Sequence, residues 1–415
     1  MLVAKESHRW PRRIAVGTAA LVAAAVVQSA PAVAASVPVP DDDPFYAVPS
    51  GIADLANGSV LDSRPVAASA VGIPINATAW QVKYKTIDQH NQPSAFVTTV
   101  LVPKKAWTGS GERPLVSYQT AEDGVGTKCS PSYLLRAGLE GGLNGAETLL
   151  VAETVNRGFA VSVPDYEGPN SEFGGAEGSA HGVLDGVRAA RNFTAAGISK
   201  NAPVGLVGYS GGSLATNWAL KAQASYAPEL TFAGAASGGT VGDVKVSFQS
   251  FINAGLGGAA LIPLIGLQRA YPEKNIQQYL NASGLRAIAG SQTDCITEAA
   301  LKHPLANLNP APIGWGKSWG TTNDPGFSKV FADVSPLTMP GAPKTPVLFY
   351  HSVIDEFAPV GKMRALFKQY CAAGVTASKT ESLVGEHEVY AITGLPTALD
   401  YLGDRFAGKP APNDC

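Results

Sequence analysis

Short apolar runs recur along this chain at intervals that suit a sheet covered by helices. Residues 79–85 and 95–103 are rich in β-branched and aromatic side chains and lie close enough to pair as antiparallel strands. Residues 114–118 predict a further strand, 147–156 a helix, and 159–164 a short strand ending at Pro164-Asp165. Over 184–193, Leu184, Val187, Ala190 and Phe193 recur at helical spacing. Strand 204–207, helix 212–224, and strands 232–236 and 347–350 continue the series. Unbroken apolar strands alternating with helices predict an α/β fold whose mostly parallel central sheet is covered on both faces.

That alternation fails between about 241 and 340. The segment is too long for a connection and must carry its own structure, so the pattern predicts an inserted, mainly helical cap. Helices are expected at 244–254 and 274–282. The glycine-rich, apolar stretch 254–266 fits a mobile lid and a buried hairpin of helices equally well. Residues 36–49, rich in Pro and Asp, predict an extended arm ahead of the first strand.

The extreme N-terminus follows another pattern. Lys5, Arg9, Arg12 and Arg13 precede the apolar run 14–27, and Ala32-Val33-Ala34 then offers a small-residue cleavage site. This predicts a signal peptide over 1–34 and a secreted α/β domain over 35–415. An uncleaved anchor is the competing expectation, but the run is short for a membrane span. The Arg12-Arg13 pair leaves general and twin-arginine export both open.

Composition changes the picture in three respects. The 45 glycines and 30 prolines point to tight turns and ordered loops rather than a helical bundle. Charged residues are only 15% of the chain and the formal net charge is −2, which gives no basic excess for nucleic acid and no acidic tail. Four cysteines, Cys129, Cys295, Cys371 and Cys415, show no metal-ligand spacing. In an oxidising compartment they predict two disulfides among three possible connectivities.

The chemistry concentrates at Gly208-Tyr209-Ser210-Gly211-Gly212. A glycine-rich chain produces G-x-S-x-G by chance, but here an apolar strand precedes it and a helix follows. That is the strand–turn–helix in which a nucleophilic serine sits on a strained elbow, with small neighbours letting strand and helix approach. A serine hydroxyl needs a base to take its proton, and the base needs a carboxylate to orient it. In such folds the order is Ser, acid, His. Of the six histidines, His8 lies in the leader, His90 and His181 precede Ser210, and His303 lies in the cap. His351 comes before any well-placed acid, which leaves His387 as base. Asp355, just after strand 347–350, is the candidate acid, with Glu356 and Asp333 as rivals. Glutamates on either side of His387 are expected to raise its basicity. The backbone N–H of Gly211 is the first oxyanion donor, and the second is expected from loop 119–126, which carries Glu122-Asp123-Gly124.

Several further motifs join this elbow: Asp43-Pro44-Phe45-Tyr46, Cys129-Ser130-Pro131-Ser132-Tyr133, Pro164-Asp165-Tyr166-Glu167-Gly168-Pro169 and Leu184-Asp185-Gly186-Val187-Arg188-Ala189. In this order they resemble the secretory lipase family over essentially the whole chain after Asp43. The resemblance implies an α/β-hydrolase fold, a triad of Ser210, Asp355 and His387, and a protonated Asp123 beside Gly211 in the oxyanion hole. It also implies the pairs Cys129–Cys295 and Cys371–Cys415 and a cap over an acyl tunnel. The expected activity is hydrolysis of a lipid or small ester through an acyl-enzyme, most simply as a triacylglycerol lipase, with no cofactor, no metal and no obligate protein partner. Transient docking of the cap on a lipid surface is a further expectation. Acyl transfer to an alcohol on the same scaffold and a non-catalytic secreted binding protein are the alternatives.

Overall fold

Neighbouring residues of the central strands face opposite ways into two separate cores. Leu115, Leu206, Ala235 and Phe349 pack into one, and Val116, Val207, Ala236 and Leu348 into the other. Such strands are apolar throughout because neither face meets water. The computed structural model describes residues 36–310 and 314–415. The leader predicted over 1–34 lies outside the described residues.

In chain order the strands are β1 (Val60–Val66), β2 (Ser69–Ala70), β3 (Ile73–Pro74), β4 (Ala77–Ile87), β5 (Pro93–Pro103) and β6 (Leu115–Gln119). They continue with β7 (Ala160–Pro164), β8 (Val204–Tyr209), β9 (Gly234–Gly238), β10 (Val347–Ser352) and β11 (Ala377–Ser382). Apart from the small β2–β3 hairpin, they form one nine-stranded sheet in the order β1-β4-β5-β7-β6-β8-β9-β10-β11. Pairing is antiparallel from β1 to β7 and parallel from β7 to β11.

The helices are α1 (Pro131–Ala137), α2 (Thr148–Asn156), α3 (Ala176–Asn192), α4 (Gly211–Tyr226), α5 (Val244–Asn253) and α6 (Leu261–Ala270). After them come α7 (Ala282–Gly290), α8 (Ile296–Lys302), α9 (Pro325–Val334), α10 (Val360–Ala372) and α11 (His387–Phe406). Helices α3, α4 and α10 cover one face of the sheet, and α2 and α11 cover the other. This is an α/β-hydrolase fold with a helical insertion, α5–α9, between β9 and β10.

Two expectations need correction, and one left open falls on the buried side. The helix predicted at 274–282 is two 3-10 turns, Pro272–Lys274 and Ile276–Tyr279. Asn275 breaks it with a left-handed φ of 46°, and Asn281 then starts α7 by accepting hydrogen bonds from the N–H groups of Ser283 and Gly284. Within the stretch left open between lid and hairpin, α6 is a buried helix whose Leu261, Ile262, Leu264 and Leu267 have no solvent exposure. The arm over 36–49 is not simply extended but holds two 3-10 turns, Pro40–Asp42 and Pro44–Tyr46. Asp43 anchors them through an ion pair with Arg64 at 2.6 Å.

Two disulfides, Cys129–Cys295 and Cys371–Cys415, tie distant parts together. The first joins the loop after β6 to the start of α8, across 166 residues. The second holds the C-terminus to α10.

Candidate active site

Parallel strands deliver their loops to one edge of the sheet, and the candidate residues gather there. Ser210 stands alone between β8 and α4 with φ 52° and ψ −121°, a strained turn for an L residue. Three close approaches explain the glycines around it. A Cβ on Gly208 would lie 2.2 Å from the carbonyl oxygen of Gly212, and one on Gly212 would lie 2.0 Å from that of Gln119. A Cβ on Gly211 would meet Asp123 Oδ1 at 1.9 Å. The elbow motif is therefore a steric requirement of strand, helix and the loop after β6 meeting at one point.

His387 is the first residue of α11, not part of a free polar loop. Its Nε2 lies 2.8 Å from Ser210 Oγ and its Nδ1 lies 2.7 Å from Asp355 Oδ2. The structure thus brings the three predicted residues into one hydrogen-bonded chain. Asp355 Oδ1 also accepts the N–H groups of Phe357 and Ala358 at 3.0 and 2.6 Å. Burial works to raise the Asp355 pKa, but the His387 hydrogen bond and charge, with the Ala358 N–H, hold it below the usual value. Burial opposes the charge on His387 in turn, yet the hydrogen bond and charge of Asp355, then Glu388 and Glu356, raise its pKa. Glu386 does something else: its carboxylate accepts the N–H of Val389 and caps α11.

Further groups fix the His387 backbone, and the sequence did not single them out for this. Tyr209 donates its hydroxyl to the His387 carbonyl at 2.7 Å. Glu356, weighed only as a rival acid, accepts the His387 backbone N–H at 3.1 Å. Asp333, the other rival, pairs with Lys274 and Lys329 instead. His351 is buried, where its Nδ1 accepts the Thr240 N–H at 2.9 Å.

Opposite the triad, the loop after β6 places Asp123 against Gly211 with a φ of 22°. Asp123 Oδ1 has no hydrogen-bond partner among the described residues. Burial pushes the Asp123 pKa up to about 6, against the positive potential of His387 and with the negative one of Glu388. Behind the loop, three more carboxyl groups are buried. Glu122 and Glu167 are raised well above the usual range by burial and by neighbouring carboxylates, and Asp165 is pushed by burial to about 7.

A cavity of about 380 Å³ opens beside Ser210 and His387. Leu134, Leu149, Leu150, Val389 and Ile392 give it apolar walls, and the insertion contributes Ile296 and Thr297 from α8. Most of the wall thus comes from the segment after β6 and from α11, rather than from the cap that was expected to roof a tunnel. A second cavity, of about 340 Å³, lies under the N-terminal arm and is lined by no residue of the triad. No group of His, Cys, Asp or Glu among the described residues is placed to hold a metal ion.

Comparison with known proteins decides the family. The family model for secretory lipases matches residues 135–414.

The chain belongs to the secretory lipase family.

Lipase 10 of Candida albicans is 33% identical over 390 residues, covering 91% of this chain and 83% of the relative. A Mycobacterium tuberculosis protein named probable inactive lipase MT1628 is 36% identical over 380 residues, covering 90% and 83%. The X-ray structure of Candida antarctica lipase A superposes with a TM-score of 0.82 at 29% identity, over 92% of this chain and 89% of that one. Membership in this family makes the protein a serine ester hydrolase or lipase. The family is a secretory one, and both disulfides fit an extracellular, oxidising setting.

Proposed function

We propose that this secretory lipase cleaves carboxylic esters through an acyl-enzyme on Ser210, after loss of a leader over residues 1–34. One observation carries the proposal: Ser210, His387 and Asp355 are joined by hydrogen bonds of 2.8 and 2.7 Å at the mouth of an apolar cavity. His387 Nε2 takes the Ser210 proton as Oγ attacks the ester carbonyl, and the imidazolium hands it to the leaving alcohol. Asp355 holds the Nδ1 proton and stabilises the imidazolium. Water then repeats the sequence on the acyl-enzyme and releases the acid.

The oxyanion forms above the N-terminus of α4, where the Gly211 N–H and the helix dipole both favour negative charge. Asp123 is the second donor, and it donates only when protonated. Its pKa of about 6 makes the donor form dominant below about pH 6 and leaves a minor share of it at neutrality.

Acyl groups occupy the cavity walled by Leu134, Leu149 and Leu150, with exposed Val389 and Ile392 at its rim meeting a lipid surface. One relative is named a probable inactive lipase, which makes a silent scaffold the second reading. Initial rates on p-nitrophenyl esters from acetate to palmitate, with Ser210→Ala as blank, separate these outcomes. Ser210-dependent rates on long chains are expected. Rates confined to acetate and butyrate would restrict the protein to short-chain esters, and Ser210-independent rates would remove the acyl-enzyme. A product ester formed in the presence of an alcohol would identify acyl transfer.

A further inference from the structure

Loop 119–126 aims Asp123, and its peptide groups are held by different parts of the fold. The Tyr166 hydroxyl donates to the Thr120 carbonyl at 2.7 Å and accepts the Glu122 N–H at 3.2 Å. The Asp123 carbonyl accepts the N–H of Ile296, at the start of α8, at 3.0 Å. The Ala121 peptide points its N–H at the side chain that precedes α2. Glu147 Oε2 accepts it at 2.7 Å. Glu147 stands at the N-cap of α2, with its other carboxyl oxygen 3.4 Å from the Tyr118 hydroxyl at the end of β6. It also lines the cavity beside Ser210.

We infer that Glu147 is a positioning residue for ester cleavage: it fixes the Ala121 peptide and, through it, the place of Asp123 in the oxyanion hole. A loop residue at a φ of 22° does not hold that conformation by itself, and its neighbours must over-determine it. Tyr166, just after β7, and the start of α8 hold the loop at Thr120, Glu122 and Asp123, and Glu147 holds it at Ala121 from the side of the cavity. Without that acceptor the Ala121 N–H is left unsatisfied and the loop is free to shift.

The groups that face Glu147 are carboxyls and phenols: Asp123 from the loop, Glu388 from α11, Tyr118 from β6 and Tyr350 from β10. Burial first, and then the charges of Asp123 and Glu388, push its pKa to about 8 against the Ala121 N–H. Either protonation state still accepts that N–H, so the positioning role persists across neutral pH. Ionisation near pH 8 places a second negative charge beside the oxyanion.

The inference rests on the Ser210 acyl-enzyme, and its test keeps the two apart. Glu147→Met keeps the volume and removes the acceptor, whereas Glu147→Gln keeps an acceptor and removes the titration. With p-nitrophenyl acetate, whose acyl group is too short to depend on the cavity wall, Glu147→Met is expected to lower kcat by about 10- to 100-fold with little change in KM. Glu147→Gln is expected to recover most of that loss and to be more active than wild type above pH 8. If Glu147→Met fails to fold, Glu147→Asp, which draws the acceptor back by one methylene, should show the same loss on acetate. Wild-type kcat on acetate in Glu147→Met, or equal damage in Glu147→Gln, would overturn the role, because a residue that only lines the wall affects long chains alone. Absence of Ser210-dependent turnover in the wild type would overturn the acyl-enzyme and this role with it.

Discussion

Asp355 and Asp123 carry the same carboxyl group on opposite sides of Ser210, and their surroundings drive them apart. Asp355 accepts two backbone N–H groups and the imidazole of His387, and its pKa falls below the usual value. Asp123 has an unpartnered buried oxygen, and its pKa rises to about 6. Desolvation acts to raise both, so it alone does not set the protonation state. The supply of donors does. On the proposed mechanism one side of Ser210 keeps a charge and the other holds its proton to a higher pH than an ordinary aspartate, the two tendencies that acyl transfer through an oxyanion needs.

The comparison breaks first on the charged side. Asp355→Asn should lower kcat by about 10³- to 10⁴-fold, the scale seen when a triad aspartate loses its charge. Glu356→Gln should cost about tenfold or less, because it leaves an acceptor for the His387 N–H. A reversed order of these two variants would move the acid to Glu356.

On the neutral side, Asp123→Ala should cost about 10²- to 10³-fold, as loss of an oxyanion donor does. The pH profile sharpens the contrast. The proposed mechanism needs His387 neutral and Asp123 protonated, so kcat/KM should rise and then fall with pH, its two limbs belonging to the coupled pair. Asp123→Asn keeps a donor that does not titrate. It should remove the fall set by Asp123 and leave the rise set by His387, with only the later fall near pH 8 that belongs to Glu147; a fall that persists below pH 8 would take the donor role away from Asp123.

The disulfides separate the two sides again. Chain entropy makes Cys129–Cys295, which closes 166 residues, worth roughly 5 kcal/mol, and Cys371–Cys415, which closes 44, worth roughly 4 kcal/mol. Serine replacement of the first pair should lower both the unfolding midpoint and kcat, since it holds the oxyanion loop to α8. Replacement of the second should lower the midpoint alone.

The smallest effect concerns the carboxyls behind Asp123. Burial raises the pKa of Asp165 to about 7, so the folded state keeps a proton that the unfolded chain releases near pH 4. That stability is fully present below pH 4 and is lost as the pH rises through 7. The thermal midpoint should be a few degrees lower at pH 8 than at pH 5.5. Asp165→Asn should remove part of this difference.

The charged side was legible in the sequence because the chain order of nucleophile, acid and base is fixed and few histidines compete for the last place. The buried strands were legible for a similar reason, since an apolar run leaves few choices. Strand β1, with Asp62, Ser63, Arg64 and Pro65, and strand β11, with Lys379, Thr380 and Glu381, were not found, because edge strands carry no such run. The neutral side was barely legible. Asp123 entered only through the family motifs, and the hydrogen bond from Ala121 to Glu147 joins residues that no spacing rule connects. Nothing in Gly385-Glu386-His387-Glu388 tells a flanking glutamate that caps α11 from one that bears on His387.

The central claim is that Ser210 is the nucleophile, and a p-nitrophenyl alkylphosphonate tests it most directly. The account predicts release of one p-nitrophenol per protein molecule, permanent loss of esterase activity, and a mass increase on the peptide carrying Ser210, all absent in Ser210→Ala. Undiminished turnover in Ser210→Ala, or the adduct on another residue, would contradict it.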